Sequence, residues 1–283
     1  MLDDVSELGD FLKSKRAATA PESVGLPAVG NPRRVSGLRR EEVAQLAAVS
    51  VDHYTRLEQG RVTTASDSVL NGIATALRLT DAERAYLGIL AQPPTRSPKD
   101  SCAGGAGGVC PLVLDLLGAM RDVPVLAIDP RGDIVAWNEL AVALYFDFAE
   151  MPPAERNMIR MLFLEPRVRG MHRNFDEVAS ASVARMRMSA GLMPGDRRMA
   201  ELIGELLERD ADFRRLWGGH EVLATDAFRK RFDHPVVGRL DLDWQALTVA
   251  ADPDLTLVVF TAPAGTASAD SLRMLGSWAA SRS

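Results

Sequence analysis

The stretch LRREEVAQLAAVSVDHYTRLEQGR, residues 38–61, decides how the N-terminal third of this chain folds. Val43, Leu46 and Ala47 recur at the spacing of one helix face, and Tyr54 and Leu57 resume it further on. Between them Ala48, Val49 and Ser50 make a short break, and Ser50 stands where a hydroxyl caps the start of a helix. Two short helices across such a turn form a helix-turn-helix, whose second helix offers its outer face to base edges in the major groove. With Tyr54 and Leu57 turned inward, Val51, Asp52, His53, Thr55 and Arg56 lie on or beside that outer face. Arg56 has the reach for guanine or phosphate, and His53 and Thr55 can hydrogen-bond to either. Arg39 and Arg40 open the first helix, where free backbone N–H groups also favour phosphate, and Arg61 ends the segment as a further base.

The flanking sequence predicts three more helices. Leu8, Phe11 and Leu12 mark the first; Val69, Leu70, Ile73, Ala74 and Leu77 mark a fourth, entered through Ser66 or Asp67. A fifth opens at Thr80 with Glu83 three residues on, a capping box, and carries Ala82, Tyr86, Leu87 and Leu90. A long connection from Ala18 to Gly37 holds Pro21, Pro27 and Pro32 together with the basic pair Arg33 and Arg34. Connections of this length tend to be functional or disordered, so the pair is either a contact to backbone phosphate or an ordinary solvated loop.

The net charge of −5 hides a local pattern. Residues 13–61 carry nine bases against five acids, while the first twelve residues are acidic. A basic face permits DNA binding in an acidic chain without requiring it. Periodicity and charge alone admit a five-helix packing module with no nucleic acid.

From Pro93 to Pro111 proline, glycine and serine dominate, which sets a boundary. The expected organisation is an all-α domain over residues 1–92, a linker over 93–110, and a second domain over 111–283. In the second domain Val125–Ile128, a DPRGD turn and Ile134–Trp137 predict a β-hairpin. Helices are expected over 139–146, 153–164, 176–190 and 197–209, strands over 237–247 and 255–261, and a closing helix over 268–280. Strands at both ends of a helical middle predict an α+β domain with an antiparallel sheet. With 47% hydrophobic and 25% charged residues the composition is that of a globular protein. No apolar run is long enough to span a bilayer, and the acidic start is unlike a secretory signal, so membrane insertion is not expected and the cytoplasm is the expected compartment. Cys102 and Cys110 have no CxxC spacing and read as incidental linker residues.

No catalytic or metal-ligating pattern emerges: GxSxG, HExxH, P-loop and GxGxxG are all missing, and His172, His220 and His234 are scattered. An enzyme is therefore not expected. Eight of eleven methionines, Met161 and Met186 among them, fall between residues 151 and 199. Methionine is suited to lining an apolar pocket or an adaptable interface, and also to plain core filling.

Residues 38–61, with the EVAQLA, the VS before the second helix, the inward Tyr54 and the terminal RLEQGR in register, closely resemble the helix-turn-helix of the XRE (Cro/C1-type) regulators. The resemblance continues through SVLNGIATALRLTDAERAYLGILA, residues 68–91. The preceding VGLP, the Arg33–Arg34 pair and VSGLRREEVAQLA look like the MmyB-like branch of that family. Ala48 replaces a common turn glycine, Ala65 a common proline, and His53 a common aromatic. If Ala48 needs a positive φ, alanine costs on the order of 1 kcal/mol there.

Residues 125–166, DFRRLWGGHEV at 212–222 and HPVVGRLDLDWQAL at 234–247 resemble the ligand-binding domain of MmyB-like regulators. That resemblance implies a PAS-like fold and a fatty-acid-like ligand, with no other cofactor. It implies Trp137, Asn138, Arg156, Asn157, Arg214 and Trp217 as ligand-site residues, joined by Met161 and Met186. An arginine beside an apolar cavity suits a carboxylate, which makes Arg156 and Arg214 candidate head-group partners, each against the alternative of a structural ion pair. The expected partners are a double-stranded DNA operator, an apolar small molecule and a second copy of the chain, because two recognition helices must reach successive major grooves. The alternative is a regulator whose C-terminal domain serves only dimerisation or protein interaction.

Overall fold

The computed structural model describes residues 7–26, 37–62, 64–91, 109–219, 227–250 and 252–281. The chain divides into two compact units. One comprises Met1–Thr95, Arg187–Gly195 and Gly218–Ala224; the other comprises Arg96–Met186, Asp196–Trp217 and Thr225–Ser283.

The first unit is built from α1 (Glu7–Ala18), α2 (Arg40–Leu46), α3 (Val51–Glu58), α4 (Asp67–Ala76) and α5 (Asp81–Leu90), with a short 3-10 turn at Pro21–Val24. Its core is the set of apolar positions that periodicity selects: Leu8, Phe11, Leu12, Val43, Tyr54, Leu57, Leu70, Ile73, Tyr86 and Leu87. Phe11 meets Tyr86 edge-on with ring centroids 5.2 Å apart. The Thr80 hydroxyl accepts from the Glu83 N–H and the Glu83 carboxylate accepts from the Thr80 N–H, the expected capping box. The Tyr86 hydroxyl donates to Glu7, and Glu7 also faces the buried guanidinium of Arg187 at 3.8 Å within this unit.

The second unit holds a five-stranded antiparallel sheet in the order β2-β1-β5-β4-β3. Its strands are β1 (Val125–Ile128), β2 (Ile134–Trp137), β3 (Ala227–His234), β4 (Gly238–Val249) and β5 (Asp252–Thr261). The described helices with it are α6 (Pro111–Ala119), α7 (Glu139–Leu144), α8 (Met158–Leu164), α9 (Pro166–Met171), α10 (Phe175–Leu192, which belongs to this unit as far as Met186), α11 (Arg197–Arg209), α12 (Ala211–Gly218, as far as Trp217) and α13 (Ala267–Ala280). β1 is buried on both faces, which is why VLAI reads as a continuous apolar run. On one face Val125, Ala127, Leu255, Leu257 and Val259 pack with Val113 and Leu117 of α6. On the other, Leu126, Phe232, Leu240, Leu242, Trp244, Val258 and Phe260 pack with α7, α9 and α13.

Several expectations change here. β3 was not predicted, because half of AFRKRFDH is charged; its apolar face is completed by β4, with Phe228 paired to Trp244, Lys230 to Leu242 and Phe232 to Leu240. The helix expected over 153–164 begins at Met158, because the buried Asn157 accepts from the Ile159 and Arg160 N–H groups and caps it there. Helices α6, α9 and α12 were not predicted either. Cys110 is no loose linker residue: it precedes α6 and is buried in the core beneath it. Cys102 lies outside the described residues.

Candidate functional site

The turn between α2 and α3 is short because it forces one residue into a left-handed conformation, and that residue is Ala48, at φ +54°. Ser50 then caps α3, its hydroxyl accepting from the His53 N–H at 3.1 Å. With both ends of the turn set this way, Tyr54 and Leu57 are fully buried, while Val51, Asp52 and Arg56 are exposed and His53 and Thr55 half-buried. Arg56 extends along the open face, 4.0 Å from Asp52 one turn earlier. The five outer-face residues are thus presented together on one short helix, with Ser50 turned back to its backbone.

What holds α3 at its angle is a residue that sequence reasoning counted only as an acid. The Glu58 carboxylate has no solvent exposure and accepts from Arg16 of α1 at 2.8 and 2.9 Å and from Arg40 of α2 at 3.0 Å. Arg16 also donates to the Leu38 carbonyl, so a single charge cluster fixes three helices and the loop before them. Burial works to raise the Glu58 carboxyl, but the Arg16 and Arg40 guanidiniums outweigh it and hold the group below the usual carboxylate range. Arg40 is therefore shared between this clamp and solvent. Arg39 is exposed at the start of α2, 3.9 Å from Glu41, with its backbone N–H donating to Glu42. Arg61 is exposed just beyond α3. Arg33 and Arg34 lie outside the described residues.

In the second unit the sequence-expected ligand residues fall into two groups. Around the hairpin, Asn138 is buried, accepts from the Val125 and Ala141 N–H groups and donates to the Met120 and Val123 carbonyls. Asn157 donates to the Arg131 carbonyl and to Asp133. Arg156 lies 5.6 Å from the Trp137 ring centroid and donates to the Met151 and Ala149 carbonyls. Met161 of α8 is buried in the same core. On α12, Arg214 donates to the Leu207 and Glu208 carbonyls, and Trp217 stacks on Phe213 at 5.6 Å. Met186 is buried on α10, and His220 lies outside the described residues. Both candidate arginines thus have backbone carbonyls as partners.

The polar groups turned into the apolar face of the sheet are different ones. Lys230 is buried between Phe228 and Phe232 along β3, its Nζ 5.8 Å from the Phe228 centroid and 5.4 Å from that of Phe260. Among the described residues it makes no hydrogen bond and no ion pair, and burial pushes its ammonium down to about 7. Tyr145 Oη, His172 Nε2 and Trp244 Nε1 are buried nearby without a hydrogen-bond partner. Such groups cost about 1–3 kcal/mol each unless something satisfies them. His172 is pushed down to about 3, first by burial and then by the Lys230 charge, so it is neutral. The signal of Lys230 in the sequence is the alternation Phe228, Lys230, Phe232, His234 against Arg229, Arg231, Asp233: a lysine keeping step with the apolar face.

Both regions fall within segments matched by family models. A helix-turn-helix domain model matches residues 7–87, and a model described as the MmyB-like transcription regulator ligand binding domain matches residues 109–275, over half of the chain. The chain belongs to the MmyB-like transcription regulators. It is a DNA-binding transcription regulator, with its α2–α3 pair inside the matched helix-turn-helix and the sheet inside the matched ligand-binding domain. Comparison with curated proteins finds no match to this regulator at a significant level. Among the described residues no helix is long and apolar enough to cross a membrane.

Proposed function

We propose that this regulator acts as a cytoplasmic homodimer that reads a specific operator through α3 and is controlled by an apolar, fatty-acid-like molecule in its C-terminal domain. The observation that carries the DNA half is the geometry of α3: a capped, clamped helix with Val51, Asp52 and Arg56 exposed and His53 and Thr55 half-buried on the side away from Tyr54 and Leu57. The turn chemistry and the Glu58 clamp make sense as devices that hold a reading face rigidly. Arg39 and Arg61, with Arg33 and Arg34 before them, are suited to the phosphates on either side. Two copies would place their α3 helices one helical turn of DNA apart, roughly 10 base pairs, or a multiple of it. Leu112, Leu114 and Leu116 of α6 are exposed, which favours self-association through the C-terminal domain.

The ligand half, and with it the PAS-like reading of the sheet, is supported by the matched ligand-binding domain and by the buried polar atoms on an otherwise apolar face. A ligand changes operator occupancy only if it binds one dimer arrangement better than another. Selection of bound fragments from random duplex DNA, followed by footprinting, tests the first half. Arg56→Ala should abolish or relax the selected sequence while the circular dichroism spectrum and melting temperature stay as in the parent. An unchanged footprint removes Arg56 from the reading face. Native mass spectrometry of the purified chain tests the second: a retained lipid mass supports it. If no lipid mass is found and added fatty acids shift neither melting nor DNA affinity, the C-terminal domain is an assembly module.

A further inference from the structure

We propose that residues 187–195 are the control segment of this regulator: seated on α1 and α5 they hold the helix-turn-helix in its DNA-binding form, and the ligand-binding unit governs DNA binding by keeping them seated or releasing them. This rests on the reading of the chain as a ligand-controlled operator binder, and deepens it.

The helix-turn-helix unit takes residues from the far half of the chain. α10 runs unbroken from Phe175 to Leu192, yet it belongs to the ligand-binding unit only as far as Met186, and Arg187–Gly195 belong to the helix-turn-helix unit. Arg187 and Met188 stand four and three residues before Gly191, the spacing of one helix face. That face is set against α1 and α5, all within the one unit. The Arg187 guanidinium, 1% exposed, faces Glu7 of α1 at 3.8 Å, and Glu7 accepts from the Tyr86 hydroxyl of α5 at 2.7 Å. Met188 packs on the core of the same unit. Gly191 comes so close to α5 that a Cβ there would stand 3.1 Å from the Tyr86 ring and 3.3 Å from Leu90. A buried cation matched to a carboxylate, and a glycine where only glycine fits, make a built seat.

The seat lies on the helix that holds the reading helix. α1 carries Glu7 at its start and Arg16 near its end, and Arg16 is a cation of the clamp on Glu58 of α3. A change at Glu7 reaches α3 through one rigid element with contacts at both ends.

Both ends of the segment are fixed in the ligand-binding unit. Before it, Val178, Ala179, Val183 and Ala184 of α10 are buried. After it, Gly195 turns the chain at φ +80°, and Asp196 caps α11 and pairs at 2.6 Å with Arg131 in the turn between β1 and β2. A short segment held at both ends moves with its anchors. A ligand that changes the packing of α10 or of the hairpin therefore biases seating, and operator DNA, which selects the held α3, favours the seated state in return.

The experiment is hydrogen exchange on the full-length protein, together with its affinity for the duplex that selection yields. Gly191→Leu drives a side chain into Tyr86 and Leu90 and should unseat the segment. Peptides covering 7–18 and 81–91 should then exchange roughly tenfold faster, duplex affinity should fall roughly tenfold, and peptides covering 238–249 should not change. Gly191→Ala should move the same peptides by less. Gly204→Leu is the same change on α11, where a Cβ meets nothing within 4 Å, and should alter none of these readings. Asp196→Asn keeps an acceptor for the cap of α11 and drops the charge that Arg131 holds. It should speed exchange over 81–91 and weaken duplex binding by roughly threefold each, although no residue of the helix-turn-helix unit has changed. Unchanged exchange over 81–91 in both Gly191 variants overturns the seat. Changed exchange with unchanged duplex affinity, or an Asp196→Asn protein that behaves as the parent, makes the segment a structural part only; it overturns this inference and leaves the operator and sensor readings standing. A parent protein that selects no duplex overturns the operator reading, and this inference with it.

Discussion

Replacing Glu58 with glutamine keeps the shape of the side chain and removes the charge that Arg16 and Arg40 share. The carboxylate has no solvent exposure, against 11% for the Arg16 side chain and 42% for Arg40. Breaking a buried ion pair by removing one partner costs about 3–5 kcal/mol, and because Arg40 can retreat into water the lower end applies. A loss of about 3 kcal/mol raises the opening constant of the helix-turn-helix by roughly 150-fold at 25 °C. Hydrogen exchange on the full-length chain, read by mass spectrometry, resolves this. Peptides covering residues 38–61 should exchange faster by that factor, and those covering 125–137 should not change. The pH dependence carries the same signature. The Glu58 carboxyl is depressed in the folded chain, so its contribution is complete above the unfolded value of about 4.3 and is lost as pH falls through the lower folded value. The glutamine variant should lack that acid limb. A change below about 1 kcal/mol, or equal losses in both peptide sets, would refute the clamp as the element that holds α3.

Ala48→Gly should stabilise the same domain by about 1 kcal/mol, since φ +54° strains alanine and not glycine; thermal melting checks it, and an unchanged footprint should accompany it. Exchanging both Arg33 and Arg34 for alanine should weaken DNA binding across all sequences and reduce the salt slope by about 2, as a titration of affinity against salt would show. Asn157→Ala removes the cap of α8 and the link to Asp133 in one step, and denaturant unfolding should show a loss of about 2–3 kcal/mol.

The helix-turn-helix was legible in the sequence because its signals are local. The apolar spacing of Val43, Tyr54 and Leu57, the Ser50 cap and the strained Ala48 each act within one or two turns of chain, so a linear reading captures them. The hairpin and the apolar strand β5 were legible for the same reason. β3 was not. Half of its residues are charged, and its apolar face exists only once β4 lies beside it and the 172–174 segment covers its edge, with Arg173 donating to the Arg231 carbonyl and Asn174 to that of Arg229.

The division is sharpest for charge. The helix-turn-helix and the MmyB-like ligand-binding domain are legible in the chain because their patterns are written in contiguous residues. The sequence by itself could not tell which charged side chains are spoken for. The fold made Glu58, one of five acids in the basic segment 13–61, the clamp of three helices. Only tertiary structure put Arg156 and Arg214 on backbone carbonyls and left Lys230 among aromatic rings. The reason is physical: the partners of Glu58 stand 42 and 18 residues away in the chain, and a charge is defined by its partners and its burial, which are properties of the fold.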